Sequence, residues 1–477
     1  MKHFIYGILL SACTALPAQT YDLNSYRFRY EKWQLMGINP SMGGNQSQYT
    51  QRQDFLFGLD SLVTRTTEEN THRFNLFLPF FFERYINTER LQHTQVLSFS
   101  AGIDKRKAAD GSKQFSTEQL LNYRTENRFY KGKQFTELNF SSRNRLYTSK
   151  NDYTDPIIIF NRMNVSRTDL NYSLSLGKGR GRMEFVSDAV SAMFLLNDLK
   201  AKAGTGAYSN EQLEAVAKGI TMIRNRRYMD FRFRVIDQLS MLDSVLKANQ
   251  VSSSDGIRYF TTMNDNWLYA NRFNRVSGQR WSLNLEHDGN RNSSRTKIDF
   301  PDSAIQQTLE SETVSRSSFN GLSFWYSHSK QLGLFVQRSF EAGLKSGIRF
   351  STNGNEPKYK SDQLLHELYA GFTVLYQPDT RSYLEAGLRG NAFLSSDMNG
   401  LRTGNPEGSH YQNMRLNLSP YVQYFRFISQ RMFYSVSASF NYNYGKDVSS
   451  ANNRQDLNNM NESMPFGFGM GLTYLMF

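Results

Sequence analysis

A single cysteine, Cys13, stands in the 477 residues, so no disulfide can form within the chain. That excludes the disulfide-stapled scaffolds on which many small secreted domains depend. Long apolar runs are also missing. Past the first 20 residues the densest stretch is FNLFLPFFF, Phe74 to Phe82, well short of the ~18–20 residues a transmembrane helix needs. Histidine is scarce, at seven residues, and neither HExxH nor a Cys/His metal spacing occurs. Acidic residues are outnumbered, 43 against 56 Lys and Arg, for a formal net charge of +13. A basic balance admits nucleic acid, anionic lipid or an anionic solute as partner. The basic residues are spread along the chain rather than clustered, which argues against nucleic acid.

Residues 1–19 have the pattern of a secretory signal peptide. Lys2 is followed by the short apolar core FIYGILLSA and by small residues. Two processing readings stand. LSAC, Leu10 to Cys13, has the form of a lipobox, with lipidation of Cys13. The favoured alternative is ordinary cleavage near Ala18 or Gln19.

What the chain has in abundance is period-two alternation. In RMFYSVSASFNYNYG, Met432, Tyr434, Val436, Ala438, Phe440, Tyr442 and Tyr444 alternate with small polar residues. The same pattern runs through RSYLEAGLRGNAFL, NMRLNLSPYVQY and LNYSLSL. Alternation marks a half-exposed strand. Here it persists well beyond the ~5–6 residues usual in soluble sheets and reaches the ~9–11 that cross a bilayer at a tilt. Short turns such as QPDT alternate with long polar loops such as SSDMNGLRTGNPEGSH. The expected fold is therefore an all-β transmembrane antiparallel barrel of about fourteen strands, within a range of 12–16. Residues 20–183 and 273–477 would form its two parts.

Residues 184–272 break the pattern. Ala189, Ala192, Met193, Leu196 and Leu199 follow helical spacing, as do Leu213, Val216, Ala217, Ile220 and Ile223, and then Val235, Leu239, Leu242 and Leu246. SNEQ at Ser209–Gln212 has the form of a capping box. The expectation is a three-helix insert, periplasmic or lumenal. Its basic residues Arg224, Arg226, Arg227, Arg232 and Arg234 are a candidate contact patch for headgroups or a partner. The stretch SLGKGRGRMEF before it carries Gly177, Gly179 and Gly181. It lacks the Gly-Lys-Ser/Thr ending of a phosphate loop and the spacing of a dinucleotide loop. These glycines read as a flexible hinge from barrel to insert, with Ser187 or Asp188 capping the first helix.

The chain ends in FGFGMGLTYLMF, an alternating segment with a terminal aromatic. It resembles the terminal signal of bacterial outer-membrane β-barrel proteins, although Phe477 lies in register with the small row rather than with Phe466, Phe468, Met470 and Leu472. The PAQT stretch, the Tyr- and Asn-rich strands and the insert resemble uncharacterised barrels of the Bacteroidota. The resemblance implies an integral outer-membrane location, contact with outer-membrane lipid and delivery by the barrel-assembly machinery.

On the polar rows stand Arg143, Arg145, Glu341, Lys345, Arg349, Glu367, Glu385, Arg389 and Arg415, candidate lumen-facing charges. They suit either a hydrated pore or a closed, salt-bridged interior. Neither His93 nor His328 has a serine two places on, so no same-strand nucleophile–base pair is visible. No cofactor or enzymatic activity is expected. The functional expectation is a channel or transport barrel for small polar solutes. The alternatives are a non-conducting barrel whose insert docks a partner and, more remotely, an outer-membrane hydrolase. Filling of the lumen by the insert or by MGINPSMGGNQS, Met36–Ser47, would count against a pore.

Overall fold

The computed structural model describes residues 21–474 except 28–29, 39–40, 58–60, 108–111, 153–161, 225–230, 270–273, 301–306, 355–358, 398–409, 430–431 and 452–453. The expected signal segment and Cys13 lie outside the described residues. Seven strands come first: β1 (Tyr30–Ile38), β2 (Ser41–Phe57), β3 (Ser61–Asn87), β4 (Leu91–Lys107), β5 (Lys113–Lys131), β6 (Gln134–Asp152) and β7 (Arg162–Phe185). Four helices follow, α1 (Ser187–Ala203), α2 (Asn210–Arg224), α3 (Phe231–Ala248) and α4 (Gly256–Tyr269). Then come β8 (Val276–Phe300), β9 (Gln307–Gln331), β10 (Val336–Asn353), β11 (Tyr359–Tyr376), β12 (Ser382–Asp397), β13 (His410–Phe427), β14 (Met432–Phe440), β15 (Tyr442–Ala451), β16 (Arg454–Ser463) and β17 (Phe466–Tyr474).

Neighbouring strands pair antiparallel. Three pairs of segments share one register with their partner strand. Ile38 faces Phe80 and Ser41 faces Phe77 on β3. Ser439 faces Tyr421 and Tyr442 faces Leu418 on β13. Phe466 faces Phe440 and Ser463 faces Asn443. The described segments thus occupy fourteen places in one antiparallel ladder. Among the described residues no pairing joins its first place to its last, so the described ladder is open. Of Met36–Ser47, the described residues 36–38 fall on β1 and 41–47 on β2, in the ladder and not across it.

Alternation puts the apolar row on one face and the polar row on the other. Leu170, Tyr172, Leu174 and Leu176 of β7 are exposed, and so are Leu283 and Leu285 of β8, Leu322 and Phe324 of β9, Leu368 and Phe372 of β11, and Leu388 and Leu394 of β12. The row continues through Met414, Leu418 and Val422 to Phe466, Phe468, Met470 and Leu472, the last four 63–75 % exposed. The longer strands run on toward the long loops with polar residues on both faces, as in NRNSSRTK of β8.

The hydrophobic core lies elsewhere. Its buried cluster consists of insert residues joined by Tyr21, Leu23, Tyr26 and Leu334. All the expected stripe residues of α1 and α2 are buried, as are Leu239, Leu242 and Leu246 of α3. Ser209 and Gln212 form a reciprocal capping box, with Ser209 N donating to Gln212 Oε1 (2.7 Å) and Gln212 N to Ser209 Oγ (3.3 Å).

Three expectations need correction. Among the described residues the insert has four helices, not three. The fourth, α4, buries Tyr259, Thr262, Met263, Asn266 and Trp267, aromatic and amide residues that give no Leu/Ala stripe. Val186, not Ser187 or Asp188, occupies the cap position of α1, without a side-chain cap. Ser187 Oγ accepts from Arg275 N (2.8 Å) instead, and Asp188 accepts from Thr221 Oγ1. Finally, the glycine run is no hinge. β7 continues through Gly177, Gly179 and Gly181 to Phe185, paired with β8 throughout. Among the described residues no helix is long and apolar enough to cross a membrane, which has no bearing on crossing by strands.

Candidate functional site

The polar face of the sheet brings the predicted charges together. All nine belong to rows opposite the exposed apolar row, and the structure divides them by partner. Arg145 pairs with Glu118 (2.7 Å). Lys345 Nζ bridges Glu286 (2.7 Å) and Asp288 (2.6 Å) and lies over the Phe319 ring. Glu385 accepts from Tyr421 OH (2.6 Å), and Arg389 donates to the same hydroxyl (3.2 Å) and stacks on its ring. Arg143, Glu341, Arg349, Glu367 and Arg415 have no side-chain hydrogen bond or ion pair among the described residues. Glu367 stands directly opposite Lys345 in register, yet the lysine is taken by β8.

Nearer the short turns the same face is closed by a network. Arg128 donates to Glu137 (2.9 Å) and Glu126 (2.9 Å). Arg182 pairs with Glu184 (2.9 Å) and stacks on Tyr130 (4.4 Å). Asn87 donates to Glu184 (3.0 Å), Gln92 donates to Asn87 (3.2 Å), and Tyr130 OH donates to Gln92 (2.9 Å). The glycine run makes this arrangement possible. A side chain at Gly179 would strike the Phe135 ring at 2.4 Å. Gly181 (φ +95°) and Gly278 (φ +123°) take conformations that L side chains avoid. Exposure alternates along β7 at Leu176, Lys178 and Arg180, then resumes one place out of step at Phe185. The step turns Arg182 and Glu184 onto the polar face, while Lys178 and Arg180 stay on the apolar one.

The insert caps the short-turn end. Phe194 packs on Phe335 of the β9–β10 turn (6.0 Å) and Tyr269 on Phe427 (5.6 Å). Arg381 of the β11–β12 turn pairs with Asp265. At the seam stands Arg275, fully buried. Its guanidinium donates to Gln331 Oε1 (3.0 and 2.5 Å) and Gln377 Oε1 (3.2 Å), and burial pushes its pKa down. The segment at Tyr21–Tyr26 is pinned there as well. Tyr21 OH donates to Glu214 (2.9 Å), and Asn24 Oδ1 accepts from Ser277 Oγ (2.8 Å) and Gln331 N (2.8 Å).

Of the expected basic patch, Arg226 and Arg227 lie outside the described residues. Arg232 falls within α3, its side chain also outside them. Arg224 stacks on Trp267 (5.0 Å) inside the insert, and Arg234 is exposed. Of the two described side chains, Arg224 is thus engaged in packing within the insert.

A Ser/His contact that sequence spacing does not reveal joins adjacent strands. Ser346 Oγ lies 2.9 Å from His366 Nδ1. Both sit on the apolar face, and among the described residues no carboxylate orients the ring, so two of the parts of a nucleophile triad are present and the third is missing. No group of three or more His, Cys, Asp or Glu able to hold a metal occurs among the described residues. The paired charges had a signal in the sequence: opposite charges two places apart on an alternating strand, as in Glu126/Arg128 and Arg182/Glu184. Arg275 and the Tyr21–Tyr26 pin had none. No protein-family model matches this sequence, and no curated protein matches it.

Proposed function

We propose that the chain is an outer-membrane β-barrel that passes small polar solutes, with its helical insert capping the periplasmic end. One observation carries this reading. The sheet exposes a continuous apolar row while the molecule's buried core lies in the insert. In water that row would be an aggregation surface; lipid is the solvent that suits it. Fourteen ladder places is an even number, as in bacterial single-chain barrels, and closure of the first place on the last would remove both sheet edges. The polar face then becomes the lumen, and the short-turn end with its insert faces the periplasm. Lipid contact and delivery by the barrel-assembly machinery follow from the same reading.

The test is planar-bilayer conductance of the purified chain and of a variant lacking residues 187–269. Discrete conductance steps in the variant, with smaller or gated steps in the intact chain, are expected. Silence in both forms refutes a pore. A second reading, a non-conducting barrel whose insert docks a partner, draws on one feature. A cavity of about 480 Å³ opens between α3 and α4, with Ile236 67 % and Phe260 52 % exposed beside it.

A further inference from the structure

We propose that the polar face holds a binding site for a small hydroxylated carboxylate, of the sugar-acid class, centred on Arg143. The proposal rests on the channel reading for its access to solute. A cavity of about 440 Å³ lies on β4–β7, lined on the polar face by Val96, Asn122, Arg124, Ser141, Arg143 and Asn171 among others. That volume is within the range of small-molecule sites.

The register places its groups in two cross-strand rows. Asn122, Arg143 and Asn171 stand side by side, and Arg124, Ser141 and Ser173 stand side by side in the next row. Arg124 and Arg143 are thus diagonal neighbours on paired strands, within reach of one ligand for long side chains. Their partners differ. Arg124 pairs with Glu126, which also holds Arg128, and Arg128 in turn takes Glu137. Arg280 lies beside the same groups, so guanidiniums outnumber the two carboxylates here, and Arg143 is left without one.

Arg145, two places further along the same row, shows what a structural arginine does here: it is tied to Glu118. Arg143 has no such tie. Its guanidinium offers a planar fork of donors suited to bidentate carboxylate binding. The Ser141 and Ser173 hydroxyls have no hydrogen-bond partner among the described residues and can serve ligand hydroxyls. The amides beside them are held in place: Asn122 donates to Ser98 Oγ (3.1 Å), and Asn171 donates to Arg143 O (3.3 Å) and accepts from Asn290. Val96 supplies an apolar wall for a carbon skeleton. Asp288 stands opposite Ser173 in register, and it and Glu286 are bridged by Lys345, which limits their repulsion of an anion.

Isothermal titration of the full detergent-folded chain tests the site, with gluconate as probe and glucose as its uncharged control. Gluconate binds and glucose does not. Arg143→Gln weakens gluconate by about tenfold or more, the scale of one charge-assisted contact, and Arg143→Lys falls between. Arg415→Gln removes an equally unpaired arginine of the same face that does not line this cavity, and leaves affinity unchanged. Absence of gluconate binding, or equal affinity in the wild type and both Arg143 variants, overturns the site. Bilayer conductance of the same preparations separates the two claims. Conductance without gluconate binding refutes the site alone, and binding without conductance refutes the pore alone.

Discussion

Tyr21 shows how much a single hydroxyl can hold. The side chain is 4 % exposed and donates to Glu214 across 193 residues of sequence. Burial, then the Glu214 hydrogen bond and charge, push its pKa up to about 12 from 10.0. A group whose folded pKa is raised contributes stability that is complete below the unfolded pKa and lost as pH climbs through the folded one. The Tyr21 contribution is therefore intact at neutral pH and disappears between about pH 10 and 12. Tyr26 and Tyr259, also raised by burial, add to the same alkaline weakness. Helical circular dichroism followed from pH 9 upward should fall across this window, and Tyr21→Phe should move the fall to higher pH. Identical alkaline midpoints would remove Tyr21 from the account. Arg275 acts at the same scale without a titratable partner: three hydrogen bonds from one buried guanidinium join the start of β8 to the end of β9 and to the β11–β12 turn.

At the level of elements, β7 and β8 depend on glycine for geometry rather than for freedom. A Cβ at Gly181 would lie 2.2 Å from Gln279 O, at a φ of +95°. Gly206, between α1 and α2, has open space around it. Gly181→Ala should therefore destabilise the folded protein by about 1–3 kcal/mol, while Gly206→Ala stays within about 0.5 kcal/mol, as read by urea unfolding in detergent. This contrast also marks the limit of what the sequence made legible. Alternation was readable because it is local, and it placed all nine charges on one face. The stripes of α1 and α2 and the Ser209–Gln212 box were readable for the same reason. The role of Gly177, Gly179 and Gly181 was not, because it is set by Phe135, Asn284 and Gln279 on neighbouring strands. α4 escaped because its buried face is built from Tyr259, Asn266 and Trp267, whose polar atoms are satisfied only in the assembled insert: Trp267 Nε1 by Gln238 (3.1 Å), Asn266 by Asp198 (2.9 Å). Of the Arg143 cavity the row was visible, whereas the lack of a partner appears only once strands are in register.

For the whole molecule, the two faces of the sheet make a direct test of what surrounds it. Leu388 is on the exposed apolar row and Asn391 on the polar one. If lipid covers the first, Leu388→Arg should cost about 2–4 kcal/mol of membrane stability, and Asn391→Arg should cost little, measured by denaturant unfolding from vesicles. Equal effects would leave the membrane reading without support. The location of the core has a further consequence, for the order of assembly. If lipid covers the apolar row, only the insert collapses in water on its own apolar content, and the sheet waits for its solvent. Once the insert has condensed, it collects Tyr21–Tyr26 from one side and the β9–β10 turn from the other, with Asn24 reaching Gln331 across 307 residues. Those long loops are then closed before the strands pair, so that hairpins remaining to be zipped are short-range events with little chain entropy left to overcome. The insert would be the nucleus on which a slow, non-local topology becomes a sequence of local steps.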